Sequence, residues 1–251
     1  MSTQPARALV VHDTDAPERT LHLAKGGLKV PIDLRVGAIH LEQTVMRIGS
    51  DESLVTRNDG SETTMYCAEG TGWVSVEGTE AELVPGMALF IPQATTFVLA
   101  REGREELRLI VILSPPPSRG GPPPRSVPRR NRLVLVREED QPAIPAGEDR
   151  YFKVLVDSEH GALHVTQFVG FIEKSKAPAH THTYEEAIYV LEGEGIAHID
   201  GRRIPIVEGS SIFLPPGTSH SLENTEEDTL KILGSLSPPG SPGDRREVAK
   251  P

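Results

Sequence analysis

The strongest constraint on this chain is that it carries the same pattern twice. Gly37-Ala38-Ile39-His40-Leu41 returns 124 residues later as Gly161-Ala162-Leu163-His164-Val165, and Gln43, Val45 and Ile48 return as Gln167, Val169 and Ile172. Further on the spacing is 123. Glu69-Gly70 matches Glu192-Gly193, Gly86 matches Gly209, and Phe90-Ile91-Pro92 matches Phe213-Leu214-Pro215. Leu113-Ser114-Pro115-Pro116 closes the first copy as Leu236-Ser237-Pro238-Pro239 closes the second. The change in spacing places a one-residue loop difference between Ile48 and Gly70. Two copies of one domain are therefore fused.

Residues 115–132 separate them, with seven prolines and five arginines. No compact core forms from that composition, so an extended linker is expected. The expected organisation is an N-terminal domain over 1–114, a Pro/Arg-rich linker over 115–132, a C-terminal domain over 133–238 and a loose tail over 239–251. Within the second copy, strands are expected at 133–136, 152–156, 162–172, 186–191, 195–199, 211–214 and 230–236. Short strands at such spacing, punctuated by glycine, indicate an antiparallel sandwich or barrel, and helical periodicity is nearly absent. The fold class is all-β.

Composition narrows the function. A net charge of −10 argues against a nucleic-acid partner, because phosphate binding needs a basic face. No apolar run approaches a membrane span and the N-terminus lacks a secretory pattern, so no membrane partner is expected. Cys67 stands alone and cannot form an internal disulfide. A cytoplasmic location follows as the expectation.

The chemistry concentrates between His180 and Asn224. His180, His182 and Glu186 sit at even spacings, which on one strand would put all three side chains on one face. Pro215-Pro216-Gly217 makes a tight turn that can deliver His220 to the same point. Three imidazoles and a carboxylate suit a divalent metal of borderline softness.

These residues resemble both signatures of the cupin family. The first is His180-x-His182, three residues, Glu186, six residues, Gly193; the second is Gly209, five residues, Pro215-x-Gly217, two residues, His220, three residues, Asn224. The resemblance implies two tandem jelly-roll barrels, a bicupin, and a metal held by His180, His182, Glu186 and His220. It favours iron or manganese, with nickel, cobalt, copper and zinc also compatible with the donor set. The repeat supplies a control: at a spacing of 123 the four ligands correspond to Arg57, Asp59, Thr63 and Phe97, so the N-terminal barrel is expected to be metal-free.

Strand parity puts Ile188 and Val190 on the barrel wall, with Phe213 and Leu222 as further lining, and turns Glu185 and Tyr189 outward. Cys67 matches Val190 and is expected to line its own barrel. His164 and Gln167 lead toward the site, but His40 and Gln43 repeat them in the other copy, which favours a structural role. The loop at 173–178 is a candidate lid. No acid/base dyad or nucleophile is visible. The resemblance implies an enzyme acting on a small enolisable or carboxylate substrate, with dioxygenase as the leading class. Isomerase, decarboxylase and lyase chemistry also occur on this fold. An architectural resemblance to ureidoglycine aminohydrolase is a further reading, although that family carries Glu and Gln where His180 and His220 stand. A non-enzymatic binding or storage role belongs to a different class. Two fused barrels are compatible with a monomer or a homodimer.

Overall fold

In the computed structural model, described for residues 6–19, 27–49, 53–58, 60–117, 133–244 and 246–247, the chain is almost entirely antiparallel β-structure. Among these residues no helix is long and apolar enough to cross a membrane. Two seven-stranded sheets lie at the centre, flanked by a four-stranded and a six-stranded sheet. Each copy of the repeat pairs one large sheet with one small sheet around its own apolar interior. Met65, Cys67, Leu89, Phe97, Leu99 and Leu109 fill the N-terminal interior. Ile188, Val190, Ile199, Ile212, Leu214 and Leu222 fill the C-terminal one.

A third cluster joins the halves. Tyr66, Phe90, Ile110 and Ile112 from the first copy pack against Tyr189, Leu191, Phe213 and Leu233 from the second. Period-two alternation explains how one strand serves both clusters. In Glu185–Glu192, Ile188 and Val190 face the barrel while Ala187, Tyr189 and Leu191 face the partner half. The outward parity of Tyr189 and the interior place of Cys67 match the sequence reading. Phe213 does not: it belongs to the interface, one residue out of phase with Ile212 and Leu214.

The interface is reciprocal down to its hydrogen bonds. Asp33 and Asp157 each cap a short turn that ends on a left-handed glycine, Gly37 at φ 85 and Gly161 at φ 94. The amides just beyond are then collected by a carboxylate from the opposite half. Glu185 accepts from Ile39 N and His40 N, both at 2.8 Å, and Glu62 accepts from Leu163 N and His164 N at 2.9 and 2.8 Å. Ser114 donates to the His40 carbonyl at 2.8 Å and Ser237 to that of His164 at 2.7 Å, with their hydroxyls 3.0 Å apart on the local twofold. His40 and His164 thus serve through their backbones, as their repetition suggested.

The edge strands are exchanged. Leu9–His12 pairs with Ser210–Leu214 of the C-terminal sheet, and Val134–Arg137 pairs with Met87–Ile91 of the N-terminal sheet. The strand expected at 133–136 to open the C-terminal barrel therefore completes the other one. Alternating hydrophobicity specifies a half-buried strand but not which edge receives it. Each exchanged strand is locked by an acid at its end. Asp13 accepts from the Tyr189 hydroxyl at 2.7 Å, and Glu138 accepts from the Tyr66 hydroxyl at 2.5 Å and pairs with Lys231 at 3.1 Å. Of the expected linker, 118–132 lies outside the described residues. The expected loose tail is docked over 239–247 as far as it is described, with Arg246–Glu247 paired to His180–Thr181.

Candidate metal centre

The centre sits where the chain crosses between the two sheets of the C-terminal barrel. His180–Thr181 and His220–Asn224 lie in the small sheet, paired directly at His180 and His220. The chain then bends through residues 182–184 and enters Glu185–Glu192 of the large sheet. His180 and Glu186 are thus on facing sheets rather than on one strand. Their convergence comes from the crossover, which the even spacing alone did not reveal.

The rings of His180, His182 and His220 lie 4.4 to 5.1 Å apart, and one nitrogen from each falls within 4.8 Å of the others. This is the one such cluster among the described residues. Nδ1 of His180 lies 3.0 Å from the Pro178 carbonyl, that of His182 2.8 Å from the Asp244 carbonyl, and that of His220 3.0 Å from the Thr218 carbonyl. A carbonyl oxygen only accepts, so each Nδ1 carries the proton and each neutral ring has its lone pair on Nε2. That is the orientation a metal ligand needs, with the opposite nitrogen held by an outer group.

Glu186 completes the group. Its Oε2 is 3.5 Å from Nε2 of His220 and 3.6 Å from Nε2 of His182, too long for ordinary hydrogen bonds, and it is buried without a hydrogen-bond partner. Buried carboxylate oxygens are almost always satisfied, so a buried orphan facing imidazole nitrogens is the signature of an oxygen meant for a cation. The electrostatics agree. Burial pushes the His180 imidazole down to about 4, assisted by His220, so this ring is neutral near pH 7. Burial also opposes ionisation of Glu186, but His220 and His182 outweigh it and hold the carboxyl below its usual range. For His220, burial favours the neutral ring and Glu186 outweighs that, raising it. The residues present fit a divalent ion.

The surroundings are apolar. Ile188, Val190, Ile199, Ile212, Leu214 and Leu222 belong to one buried cluster in this barrel. Tyr184 stacks on His182 with centroids 4.6 Å apart and its hydroxyl donates to the Ser241 carbonyl. The candidate lid at 173–178 is instead part of the sheet, with Ser175–Lys176 paired to His220–Asn224. Lys174 pairs with Glu227, and Nε2 of His198 lies 2.6 Å from Glu223 Oε2. Two surface clefts, of 490 and 680 Å³, lie elsewhere on the molecule, and none of the four candidate ligands lines either.

Among the described residues, the same place in the N-terminal half holds no such group. The amide of Gly217 donates to the His182 carbonyl at 2.8 Å, and the amide of Ala94 donates to the Asn58 carbonyl at 2.8 Å, so Asn58 is the structural counterpart of His182. Phe97 pairs with Thr56 as His220 pairs with His180. Thr56 and Asn58, not Arg57 and Asp59, therefore replace the first two histidines. The one-residue difference falls after Asn58, and from Glu62 onward the spacing of 123 holds; Asp59 itself lies outside the described residues. Thr63 and Phe97 stand where expected.

Comparison with known proteins agrees with this architecture. Residues 168–235 match the family model described as the cupin domain. Over 63 residues the chain is 42% identical to the oxalate-binding protein of Thermotoga maritima, a match covering 25% of this chain and 52% of that protein, so about half of the relative's length is spanned. Among solved structures, the putative glyoxylate-induced protein of Pseudomonas aeruginosa superposes with a TM-score of 0.77 at 15% identity, covering 94% of this chain and 92% of that one. An oxalate decarboxylase variant from Bacillus subtilis superposes with a TM-score of 0.72 at 14% identity, covering 93% and 78%. At such identities the structural likeness establishes the fold. The cupin match thus covers residues 168–235, and the likeness to the solved structures extends the same fold over 93–94% of the chain.

Proposed function

We propose that this protein is a metal-dependent bicupin that binds one divalent transition ion through His180, His182, Glu186 and His220 of its C-terminal barrel and acts on a small carboxylate there. The carrying observation is the orphaned, buried Oε2 of Glu186 facing imidazole nitrogens at 3.5 and 3.6 Å. With three neutral rings and one carboxylate, a divalent ion keeps a charge near +1 and would act as a Lewis acid toward an oxygen ligand. Iron and manganese are the preferred ions. The domain organisation belongs to the same proposal: a metal-free barrel up to 114, a linker to 132, and the metal-binding barrel to 238, with Leu9–His12 and Val134–Arg137 exchanged between the two.

Two observations favour a small carboxylate over a bulky flavonol-like substrate. The C-terminal interior is filled by buried apolar side chains, which leaves the charged centre as the natural partner for a compact anion. The relatives include proteins named for oxalate and glyoxylate. The reaction is C–C bond cleavage of that acid, by decarboxylation or with dioxygen as co-substrate. A second reading, reversible binding without turnover, is favoured by the neighbouring barrel wall, where Ile188, Ile199, Leu214 and Leu222 offer no acid or base.

Elemental analysis of protein purified without added metal, followed by oxalate, glyoxylate, β-diketones and flavonols assayed for carbon dioxide release and oxygen uptake, tests all three. About one iron or manganese per chain with carbon dioxide and no oxygen uptake identifies a decarboxylase. Oxygen uptake identifies a dioxygenase. Saturable oxalate binding with neither product identifies the binding protein. No metal after reconstitution sinks the proposal.

A further inference from the structure

The three imidazoles share one tautomer, but its support comes from different places. His180 and His220 donate to carbonyls two residues away, at Pro178 and Thr218. His182 reaches the carbonyl of Asp244, 62 residues along the chain. The segment that supplies it crosses the site. Gly240 N donates to Thr166 Oγ1 at 3.3 Å, the Tyr184 hydroxyl donates to the Ser241 carbonyl at 3.2 Å, and Asp244 N closes a turn on the Ser241 carbonyl at 3.0 Å. Arg246–Glu247 then pairs with His180–Thr181 beside the ligands. Tyr184 joins the two, because its ring stacks on His182 and also lies beside Gly240. A Cβ at Gly240 would stand 3.2 Å from that ring.

We infer that residues 240–244, with Arg246–Glu247, form a strap that positions His182, and that docking of the strap and occupancy of the metal centre are thermodynamically linked. This rests on the proposed metal reading for its second half only. Without the Asp244 carbonyl, the His182 ring loses the acceptor that keeps its proton on Nδ1. The alternative tautomer puts that proton on Nε2, where no metal bond can then form. Loss of an outer partner of this kind weakens metal affinity by about 10- to 100-fold. Linkage is reciprocal, so a bound ion holds the strap down by the same factor.

The test compares the full chain with one ending at Pro239. In metal-free protein, imidazole nitrogen spectra should show Nδ1–H on all three rings of the full chain, and truncation should change His182 while leaving His180 and His220 as they were. An unchanged His182 overturns the inference whether or not the protein binds metal. Gly240→Val, which drives a branched side chain against Tyr184 in a chain of full length, should reproduce the change if truncation prevents folding. Zinc(II) competition against a chelating dye should then show affinity about 10- to 100-fold weaker in both variants, with equal affinity overturning the linkage. A full chain that binds no zinc, yet shows the His182 change, sinks the metal reading and leaves the positioning role standing.

Discussion

The two barrels solve the same vacancy in opposite ways. In the C-terminal half, the crossover between sheets carries His182 and brings three imidazoles to an orphaned carboxylate oxygen. In the N-terminal half, Asn58 occupies the place of His182 and is fully engaged. Its Nδ2 donates to the Pro92 carbonyl at 2.8 Å and lies 3.2 Å from both Thr63 Oγ1 and the Ile91 carbonyl, and its Oδ1 accepts from Thr95 N at 2.9 Å. Phe97, buried in the barrel core, fills the space of the fourth ligand. One half therefore spends its polar groups on closing its own structure, while the other keeps them aimed at something absent from the chain. That difference marks a functional site more reliably than the histidines alone, because unsatisfied buried polar groups are destabilising unless a partner arrives.

The comparison can be broken by exchange. Placing the N-terminal residues in the C-terminal barrel, as His180→Thr with His182→Asn, should abolish stoichiometric metal binding measured by elemental analysis and leave the far-ultraviolet dichroism of a folded protein. Retained metal would refute the ligand assignment. The reverse exchange is harder. Phe97→His alone should create no second site, whereas Thr56→His, Asn58→His, Thr63→Glu and Phe97→His together should raise the metal content toward two per chain if the corrected correspondence holds.

Smaller effects sharpen it. Asn58→Ala should leave metal content intact but cost about 2–4 kcal/mol in denaturant unfolding, since a buried amide and two carbonyls lose their partner. In the metal-free protein, His180 should titrate near 4 and His220 above its ordinary value by imidazole proton resonances. The sign for stability follows. His180 binds a proton more readily unfolded than folded, so it removes stability as pH falls from its unfolded value of 6.5 toward 4. The least effect concerns a broken symmetry at the interface. Gln43 Nε2 donates to Ser211 Oγ at 2.8 Å, but Ala88 stands at the repeat position of Ser211, and the buried side-chain amide of Gln167, the counterpart of Gln43, has no hydrogen-bond partner. Ala88→Ser should restore that bond and raise stability by about 1 kcal/mol.

Much of the site was legible because cupin signatures and strand parity are both local. Glu185 and Tyr189 turned outward, and Ile188 and Val190 inward, as alternation requires. One error came where a loop intervened. A one-residue difference after Asn58 shifted the correspondence of two ligands, because side-chain parity is lost across a bend while sequence spacing continues. The His182–Asp244 contact had no local signal at all, being a backbone carbonyl 62 residues away.

The amino-acid sequence by itself determined that two all-β domains are fused, that the His-x-His, Glu and His pattern occurs only in the second, and which face the residues from Glu185 to Val190 take. Those properties are written in spacing and alternation, which act over a few residues. Tertiary structure alone decided that Leu9–His12 and Val134–Arg137 exchange barrels, that Phe213 joins the interface, and that the C-terminal segment closes on the histidines. An edge strand offers the same backbone donors and acceptors to any exposed edge, so its partner is chosen by the packing of side chains far away in sequence. Asp13 with Tyr189, and Glu138 with Tyr66, are two such contacts.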